Sequence, residues 1–274
     1  MASPCQVLID YADREQASAI TRAIADEAWR IEEKYSRYRD DNIIHRINRS
    51  GGEQVEIDAE TARLLEFADQ LYSMSDGMFD ITSGVLREVW CFDGSDNLPS
   101  GAQVSALVEH VGWERVALSA DALSLPEGME IDLGGIGKEY AVDRCVQIAN
   151  DMHEHSVLVN FGGDLAMTRE RDGGDFWAIG RLVTGKDEAA GFFRLYRGAI
   201  ATSGDANRYL LKDGVRYSHI LNPKTGWPVK QAPHTVSVAA PTCLQAGMMS
   251  TLAMLQGAQA EEFLKLQEVA YWVD

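Results

Sequence analysis

The chain has 274 residues, of which 46% are hydrophobic, and its formal net charge is −17. This share of apolar residues is enough for a substantial core and argues against wholesale disorder, while the negative charge argues against nucleic acid and anionic membranes as partners. The four cysteines are far apart and form no CxxC pair, which argues against a zinc site and a disulfide framework.

The N-terminal part is predicted to contain one strand and two helices. Residues 5–11 are predicted as the strand, and apolar residues at helical spacing predict a helix over residues 14–35. A polar loop follows, in which Tyr38 could stack on a flat ring or simply cap the edge of the core. Asp58 is predicted to be the N-cap of the second helix, which ends at the turn formed by residues 75–77.

A glycine-rich turn near the middle of the chain is the strongest local candidate for a binding site. A predicted short apolar strand leads into three glycines, Lys138 and the start of a helix, all within residues 130–144. Glycines at such a turn let backbone N–H groups approach an anion, and a helix N-terminus favours negative charge. The motif is not a P-loop, because Glu139 follows the lysine, and not a dinucleotide fingerprint, because Tyr140 replaces a small residue. Phosphate binding and a turn made only for packing are equally open at this point.

The rest of the chain is predicted to be a meander of strands with helices inserted. His219 stands just before a turn signalled by Asn222-Pro223, a context that the other histidines lack. Because strands follow one another in meanders, the predicted fold class is α+β and not a doubly wound parallel sheet. We expect one domain over residues 1–274, or two intertwined subdomains within it. The remaining predictions are a polar excursion over 91–105, a hairpin within 116–125, a helix ending near 152, strands over 156–161, 177–183, 191–196, 199–202 and 235–240, a helix over 243–256, and a short helix before a strand over 269–273.

Segments spread along the chain resemble, in this order, the ApbE family of FAD:protein FMN transferases. Each segment alone is a weak signal, but the ordered set covers nearly the whole chain and is highly specific. The segments are Ser36-Arg37-Tyr38, Gly77-Met78-Phe79-Asp80-Ile81-Thr82, Asp132-Leu133-Gly134-Gly135-Ile136-Gly137-Lys138, Val159-Asn160-Phe161-Gly162-Gly163-Asp164, Ala201-Thr202-Ser203-Gly204-Asp205, Tyr217-Ser218-His219-Ile220-Leu221-Asn222-Pro223-Lys224-Thr225-Gly226, and the stretch from Ser237-Val238 to Thr251.

The resemblance implies an α+β, ApbE-like (T-fold-like) structure of mixed sheets and packed helices, with the flavin nucleotide in a central cleft. Enzymes of this family cleave FAD and attach FMN to a threonine hydroxyl of an acceptor flavoprotein, releasing AMP with the help of Mg²⁺. FAD, Mg²⁺ and such an acceptor are therefore the expected ligands and partner. The implied catalytic residue is His219; the implied flavin and nucleotide contacts are Tyr38, Met78, Phe79, Asp80, Asp132, Lys138, Leu221 and Ser250; the implied metal ligands are a backbone oxygen of Gly135, an acidic residue at position 247 and the hydroxyl of Thr251.

Two positions depart from the family pattern. Position 247 is Gly247, where Asp is usual, so the charged metal ligand is missing. In a hard-cation site this loss should weaken binding strongly unless another oxygen substitutes, and Asp80, Asp132 and Asp205 are the candidates by motif. Glu139 stands where a glycine is common, which we interpret as the milder change.

The sequence leaves alternatives open for both function and location. Besides a flavin transferase, it is compatible with an FAD-binding protein whose metal chemistry has decayed, and with an FAD pyrophosphatase in which water replaces the threonine hydroxyl. No apolar run is long enough to cross a bilayer and no secretory signal is visible, so a cytoplasmic location is expected. A leader removed before residue 1 would make the location periplasmic instead.

Overall fold

A computed structural model of the protein describes residues 3–10, 12–181, 191–205 and 208–274. The helices are α1 (Arg14–Tyr35), α2 (Ile43–Asn48), α3 (Ala59–Met74), α4 (Gly101–Val108), α5 (Gly137–Met152), α6 (Cys243–Leu255) and α7 (Ala260–Leu266), with 3-10 helices at Ile81–Glu88, Trp113–Arg115 and Gly257–Gln259. The strands are β1 (Cys5–Ile9), β2 (Gln54–Glu56), β3 (Ala117–Leu118), β4 (Ala122–Ser124), β5 (Val157–Phe161), β6 (Asp164–Met167), β7 (Trp177–Gly180), β8 (Phe192–Leu195), β9 (Ala199–Gly204), β10 (Tyr209–Lys212), β11 (Val215–Ser218), β12 (Thr235–Ala240) and β13 (Ala270–Val273).

The central sheet has six strands in the order β1-β5-β6-β9-β12-β13, and each neighbouring pair is antiparallel. Smaller antiparallel sheets are formed by β2-β4-β3, β7-β8 and β10-β11. Antiparallel neighbours can be joined by short turns, so the strands need no crossover helix between them. The predicted α+β class is confirmed.

The central sheet separates two hydrophobic clusters. In β5, Val157, Val159 and Phe161 join the main core, whereas Leu158 joins a second cluster with Phe193 of β8. This alternation is the normal geometry of a strand. Helices α5 and α6 lie against the sheet and against each other, and α1 packs on α5. The α5–α6 pair therefore forms the layer in which four of the predicted site residues lie, namely Lys138, Gly247, Ser250 and Thr251.

The starts of the long helices differ in how they are capped. Asp13 caps α1 by accepting the N–H of Gln16 (2.8 Å), and Asp58 caps α3, as predicted, by accepting the N–H of Thr61 (2.9 Å). By contrast, α5 begins after Ile136 without a side-chain cap, and its first N–H, that of Gly137, donates to the Leu133 carbonyl (2.7 Å). Within the described residues, no helix combines the length and the apolar character needed to span a bilayer.

The stretch before α5 corrects one prediction. Residues 130–133 are predicted as a strand, but they are not part of a sheet in the structure. Instead, the Asn48 side chain accepts the N–H of Ile131 (2.8 Å) and donates to its carbonyl (3.0 Å), and Asp132 N–H donates to the Ile81 carbonyl (2.8 Å). Because these partners satisfy the backbone groups, no neighbouring strand is required.

Other differences concern short elements and boundaries. The helix α2 and the hairpin β10-β11 are not predicted, and α4 begins within the excursion predicted over 91–105 and ends beyond it at Val108. The first predicted strand ends at Ile9, and residue 11 lies outside the described residues, as do the last two positions of the strand predicted over 177–183. Elements this short span too few residues for periodicity to reveal them.

Candidate active site

Helices α5 and α6 lie side by side in antiparallel register at the centre of the site. The Asp143 carboxylate of α5 accepts the backbone N–H groups of Cys243 (2.7 Å) and Leu244 (2.9 Å) at the start of α6. Asp143 therefore satisfies N–H groups that a helix cannot satisfy internally. One turn away on both helices, the same register brings Glu139 against Gly247.

The contact between Glu139 and Gly247 requires that position 247 has no side chain. A Cβ atom there would lie 2.5 Å from Cγ of Glu139 and 3.0 Å from its Oε1. Glu139 is only 7% exposed, and its Oε2 has no hydrogen-bond partner. Burial, followed by the negative charge of Asp164, raises the pKa of Glu139, and the Lys138 charge opposes this shift. An acidic side chain from the facing helix thus occupies the space beside position 247.

An ion pair with one buried member lies next to this contact. Lys138, the second residue of α5, forms a salt bridge with Asp164, which is buried at the start of β6. Asp164 also accepts the backbone N–H of Thr202 in β9 (3.0 Å). The lysine charge and the uncapped helix start therefore lie together, an arrangement that favours an anion such as a phosphate.

Hydroxyl groups of β9 and α6 line the side of the site next to Gly247. Ser203 Oγ lies 2.8 Å from Ser250 Oγ and 2.9 Å from Thr251 Oγ1. Ser250 is buried and donates to the Gly247 carbonyl (3.0 Å). Thr251 follows Gly247 by four residues, which places both on one face of α6. The predicted nucleotide and metal residues of α5 and α6 are therefore brought together through β6 and β9.

A second group of side chains lies at the glycine turn before α5. Asp132 accepts the N–H of Gly134 (2.9 Å) and forms a salt bridge with Arg37. Arg37 also donates to the Tyr38 hydroxyl (2.9 Å), and its guanidinium lies 4.9 Å from the centre of the Tyr38 ring. Tyr38 is 74% exposed, so its ring is available to stack on a flat ligand.

The three residues predicted at the flavin from the loop after α3 lie in different environments. Phe79 is buried with its ring edge toward Gly135, where a Cβ would lie 3.1 Å from Cε2 of the ring. Met78 packs partly buried against the same core. The Asp80 carboxylate is turned inward, accepting the N–H (2.8 Å) and hydroxyl (2.6 Å) of Thr82 and one further backbone N–H (3.1 Å). Asp80 thus caps the following 3-10 helix, and its flavin contact stays a prediction.

His219 follows β11 with one of its ring nitrogens fixed. Its Nδ1 donates to the Arg208 carbonyl (3.1 Å), which leaves the lone pair on Nε2. Burial lowers the pKa of His219, and the charge of Asp205 opposes part of the shift. A neutral imidazole with a fixed tautomer can accept a proton at pH 7. Leu221, two residues further on, packs partly buried against the cluster around Leu86.

The carboxylates suggested by motif as substitutes at position 247 are engaged elsewhere. Asp80 and Asp132 are bound as described above, and Asp205 pairs with Arg216 (3.0 Å). The acid beside position 247 is Glu139, which the sequence interpretation treats as a mild departure. The structure corrects that interpretation, because the two positions are far apart in sequence but in contact across the helix pair.

The oxygen groups around this contact fit Mg²⁺. Among the described residues, no three His, Cys, Asp or Glu side chains are placed to hold a metal ion. The site does contain a buried carboxylate oxygen without a partner, Glu139 Oε2. Thr251 lies one turn beyond Gly247, the glycine that Glu139 contacts, and Gly135 lies in the turn that opens α5. Oxygen ligands suit a hard cation, and Mg²⁺ usually combines one or two carboxylates with substrate phosphates and water.

Comparison with known proteins identifies the family. The family model of the ApbE family matches residues 1–273. The chain belongs to the ApbE family. Its relatives include the FAD:protein FMN transferases of Vibrio cholerae (28% identical over 237 residues, covering 84% of this chain and 71% of that protein) and Salmonella typhimurium (28% over 252 residues, 87% and 71%).

Solved structures of the family have the same fold. The ApbE protein of Thermotoga maritima is 31% identical, with a TM-score of 0.86 covering 98% of this chain and 94% of that chain. The flavinyl transferase ApbE of Pseudomonas stutzeri in its apo form is 25% identical, with a TM-score of 0.84 and coverage of 98% and 86%. The ApbE-like fold implied by the resemblance is confirmed.

The family motifs lead to many of the residues at the site but not to their partners. Arg37, Asp164 and Ser203 lie inside the matching segments, yet the sequence assigns them no role. Their roles become visible only through the side chains they contact. For Glu139 there is a usable signal, because both departures from the family resemblance concern an acid: position 139 holds one and position 247 does not.

Proposed function

We propose that this ApbE-family protein is an FAD:protein FMN transferase that moves FMN from FAD to a threonine hydroxyl of an acceptor protein. The observation that carries the proposal is a connected set of contacts at the site. It runs from Lys138 to Asp164, to the backbone of β9, and through Ser203 to Thr251. Its two ends, Lys138 and Thr251, are positions at which the family resemblance implies a nucleotide and a metal, and the names of the relatives indicate an FMN transfer from FAD to protein.

In the proposed reaction, the threonine hydroxyl attacks the phosphorus atom of the FMN half of FAD. A bond forms between the threonine oxygen and that phosphorus, the bond from phosphorus to the bridging oxygen breaks, and AMP leaves with the bridging oxygen. The hydroxyl proton passes to Nε2 of His219, whose Nδ1 is held by the Arg208 carbonyl. Phosphoryl transfer depends more on positioning and charge neutralisation than on covalent catalysis.

Local positive charge is needed because the whole chain carries a net charge of −17. Lys138 and the N-terminal end of α5 would contact the diphosphate, while the exposed ring of Tyr38, held by Arg37, would stack on the flavin. Gly135 and Thr251 are proposed to hold Mg²⁺, which when bound neutralises diphosphate charge.

The alternative of an FAD-binding protein with a decayed metal site is not favoured. That reading depended on the missing Asp at position 247, and a buried acid, Glu139, lies beside that position. The absence of Asp therefore no longer argues for loss of activity. A pyrophosphatase would use the same pocket with water in place of the acceptor protein. The two activities therefore differ only in whether FMN and AMP are released when no acceptor protein is present.

Transfer itself provides the test. The purified protein is incubated with FAD, Mg²⁺ and an acceptor domain of an ApbE-type flavoprotein, and intact-mass spectrometry of the acceptor is combined with chromatography of AMP. We expect one FMN on the acceptor for each AMP released, and no transfer with EDTA or with the acceptor threonine replaced by alanine. Release of FMN and AMP without acceptor would favour the pyrophosphatase, and retention of intact FAD with every divalent metal would contradict the proposal.

A further inference from the structure

We propose that Glu139 supplies, from α5, the carboxylate metal ligand that the family pattern takes from position 247 on α6. The inference rests on the proposed function, because it concerns the metal that would act on the FAD diphosphate. It assigns a metal-binding role to position 139, at which the family pattern has no acid.

The two departures from the family pattern face each other in the structure. Glu139 replaces a usual glycine on α5, and Gly247 replaces a usual acid on α6. A Cβ at position 247 would lie 2.5 Å from Glu139 Cγ, so a side chain at 247 and the observed Glu139 conformation exclude each other. Asp143, one turn along α5, fixes this register by binding the first N–H groups of α6. Compared with the family pattern, the acid is therefore on α5 and the glycine on α6, and the acidic side chain lies between the two helices.

The protein leaves one oxygen of the buried Glu139 carboxyl group, Oε2, without a partner. The residue is 7% exposed. The neighbouring Asp164 is paired with Lys138, accepts the N–H of Thr202 and also makes a side-chain hydrogen bond with the Glu139 carboxyl group, so it adds negative charge beside Glu139. Leaving a carboxylate oxygen buried and unpaired is unfavourable unless a ligand satisfies it. A divalent cation would satisfy the open oxygen and offset the adjacent carboxylate charge.

The surrounding groups have the chemistry of a hard-cation site. The Thr251 hydroxyl lies one turn beyond Gly247 on the same face of α6, and Gly135 lies in the turn that opens α5, just before Glu139. One carboxylate and neutral oxygens leave coordination positions for phosphate oxygens and water, as Mg²⁺ prefers. A purely structural glutamate at this position would be expected to direct its oxygens to protein donors.

Metal binding can be measured separately from catalysis. Mn²⁺ serves as the probe in place of Mg²⁺, and EPR spectroscopy measures free Mn²⁺ during titration of the FAD-loaded protein. Glu139→Gln keeps the shape of the side chain and removes its charge, so we expect Mn²⁺ affinity to fall by roughly tenfold or more. The exchange variant Glu139→Gly with Gly247→Asp returns the acid to α6 and should recover most of the affinity. Glu27→Gln on α1 is the matched control; it also neutralises a shielded glutamate, one paired with Arg30, and should leave Mn²⁺ binding unchanged.

Thermal unfolding with and without Mn²⁺ shows that each variant is folded and provides a second readout. The rise in Tm caused by Mn²⁺ should be lost in Glu139→Gln and present in the exchange variant. Unchanged Mn²⁺ affinity in folded Glu139→Gln, or no Mn²⁺ binding by the wild type, would overturn the inference. If Glu139→Gln binds Mn²⁺ normally and FMN transfer continues, the inference fails and the proposed function stands. If Mn²⁺ binding depends on Glu139 but the acceptor gains no FMN, the proposed function fails and the role of Glu139 stands.

Discussion

The contact between Glu139 and Gly247 predicts a coupling in stability that requires no ligand. Gly247 lies inside α6, where alanine is favoured over glycine by about 1 kcal/mol. The new Cβ would lie 2.5 Å from Cγ of Glu139. Forcing an extra methyl group into a packed site usually costs about 1–3 kcal/mol. We therefore expect Gly247→Ala to lower the free energy of unfolding by a net amount of about 1 kcal/mol.

The same substitution should change sign when Glu139 is shortened. In a Glu139→Ala background the Cγ atom is gone, so the steric cost disappears and Gly247→Ala should raise the free energy of unfolding by about 1 kcal/mol. The resulting coupling energy of about 2 kcal/mol lies within the range of residues in direct contact and well above that of independent sites.

Urea unfolding of the wild type, both single variants and the double variant measures this coupling. Circular dichroism and tryptophan fluorescence are recorded together, without flavin or metal, to check that the two probes report one transition. Gly101→Ala is the matched control, because a Cβ at that helical glycine would meet open space. If Gly247→Ala stabilises the protein equally in both backgrounds, the contact described here does not exist.

Three further predictions follow from other contacts of the site. His219→Asn should slow FMN transfer by about 10²–10⁴-fold without weakening FAD binding, because the general base is lost. Since burial lowers the pKa of His219, wild-type transfer should decline only below about pH 6.5. A decline that begins above pH 7 would contradict this role. Asp143→Ala leaves the first N–H groups of α6 without their acceptor and should cost about 2 kcal/mol in urea unfolding, so an unchanged midpoint would refute its capping role. Hydrogen bonds from Arg30, and then from Lys34, lower the pKa of Glu60, so its stabilisation is present above the usual glutamate pKa of about 4.3 and is lost as the pH falls through the lowered value. Glu60→Gln should therefore flatten the loss of stability in acid, and a variant whose acid unfolding curve matches that of the wild type would exclude this contribution.

Much of the fold could be predicted because its longer elements are encoded locally. The helix predicted over residues 14–35 is observed as α1, and its buried residues include Ile20, Ile24 and Ile31 at helical spacing. Asp58 caps α3 because a short acidic side chain can reach the N–H groups of the first turn. The ordered motifs also led to the family, which carries the fold with it.

The short elements and the stretch before α5 could not be predicted in the same way. Residues 130–133 have the apolar composition of a strand, but the side chain of Asn48 takes the hydrogen bonds that a neighbouring strand would make. That partner is distant in the chain, and no local pattern indicates it. Asp80 shows the same limit, because its position in a motif does not reveal that its oxygens are directed to Thr82.

By itself, the sequence determined the family, the order of the longer elements and the residue types that suit a nucleotide and a hard cation. Only the tertiary structure decided which of these residues meet. Glu139 and Gly247 are separate departures in the sequence, and they become one arrangement only because Asp143 holds α5 and α6 in antiparallel register. The physical reason is that periodicity and capping depend on neighbours a few residues away, whereas a side chain that fills the space beside a glycine on another helix depends on packing between segments far apart in the chain.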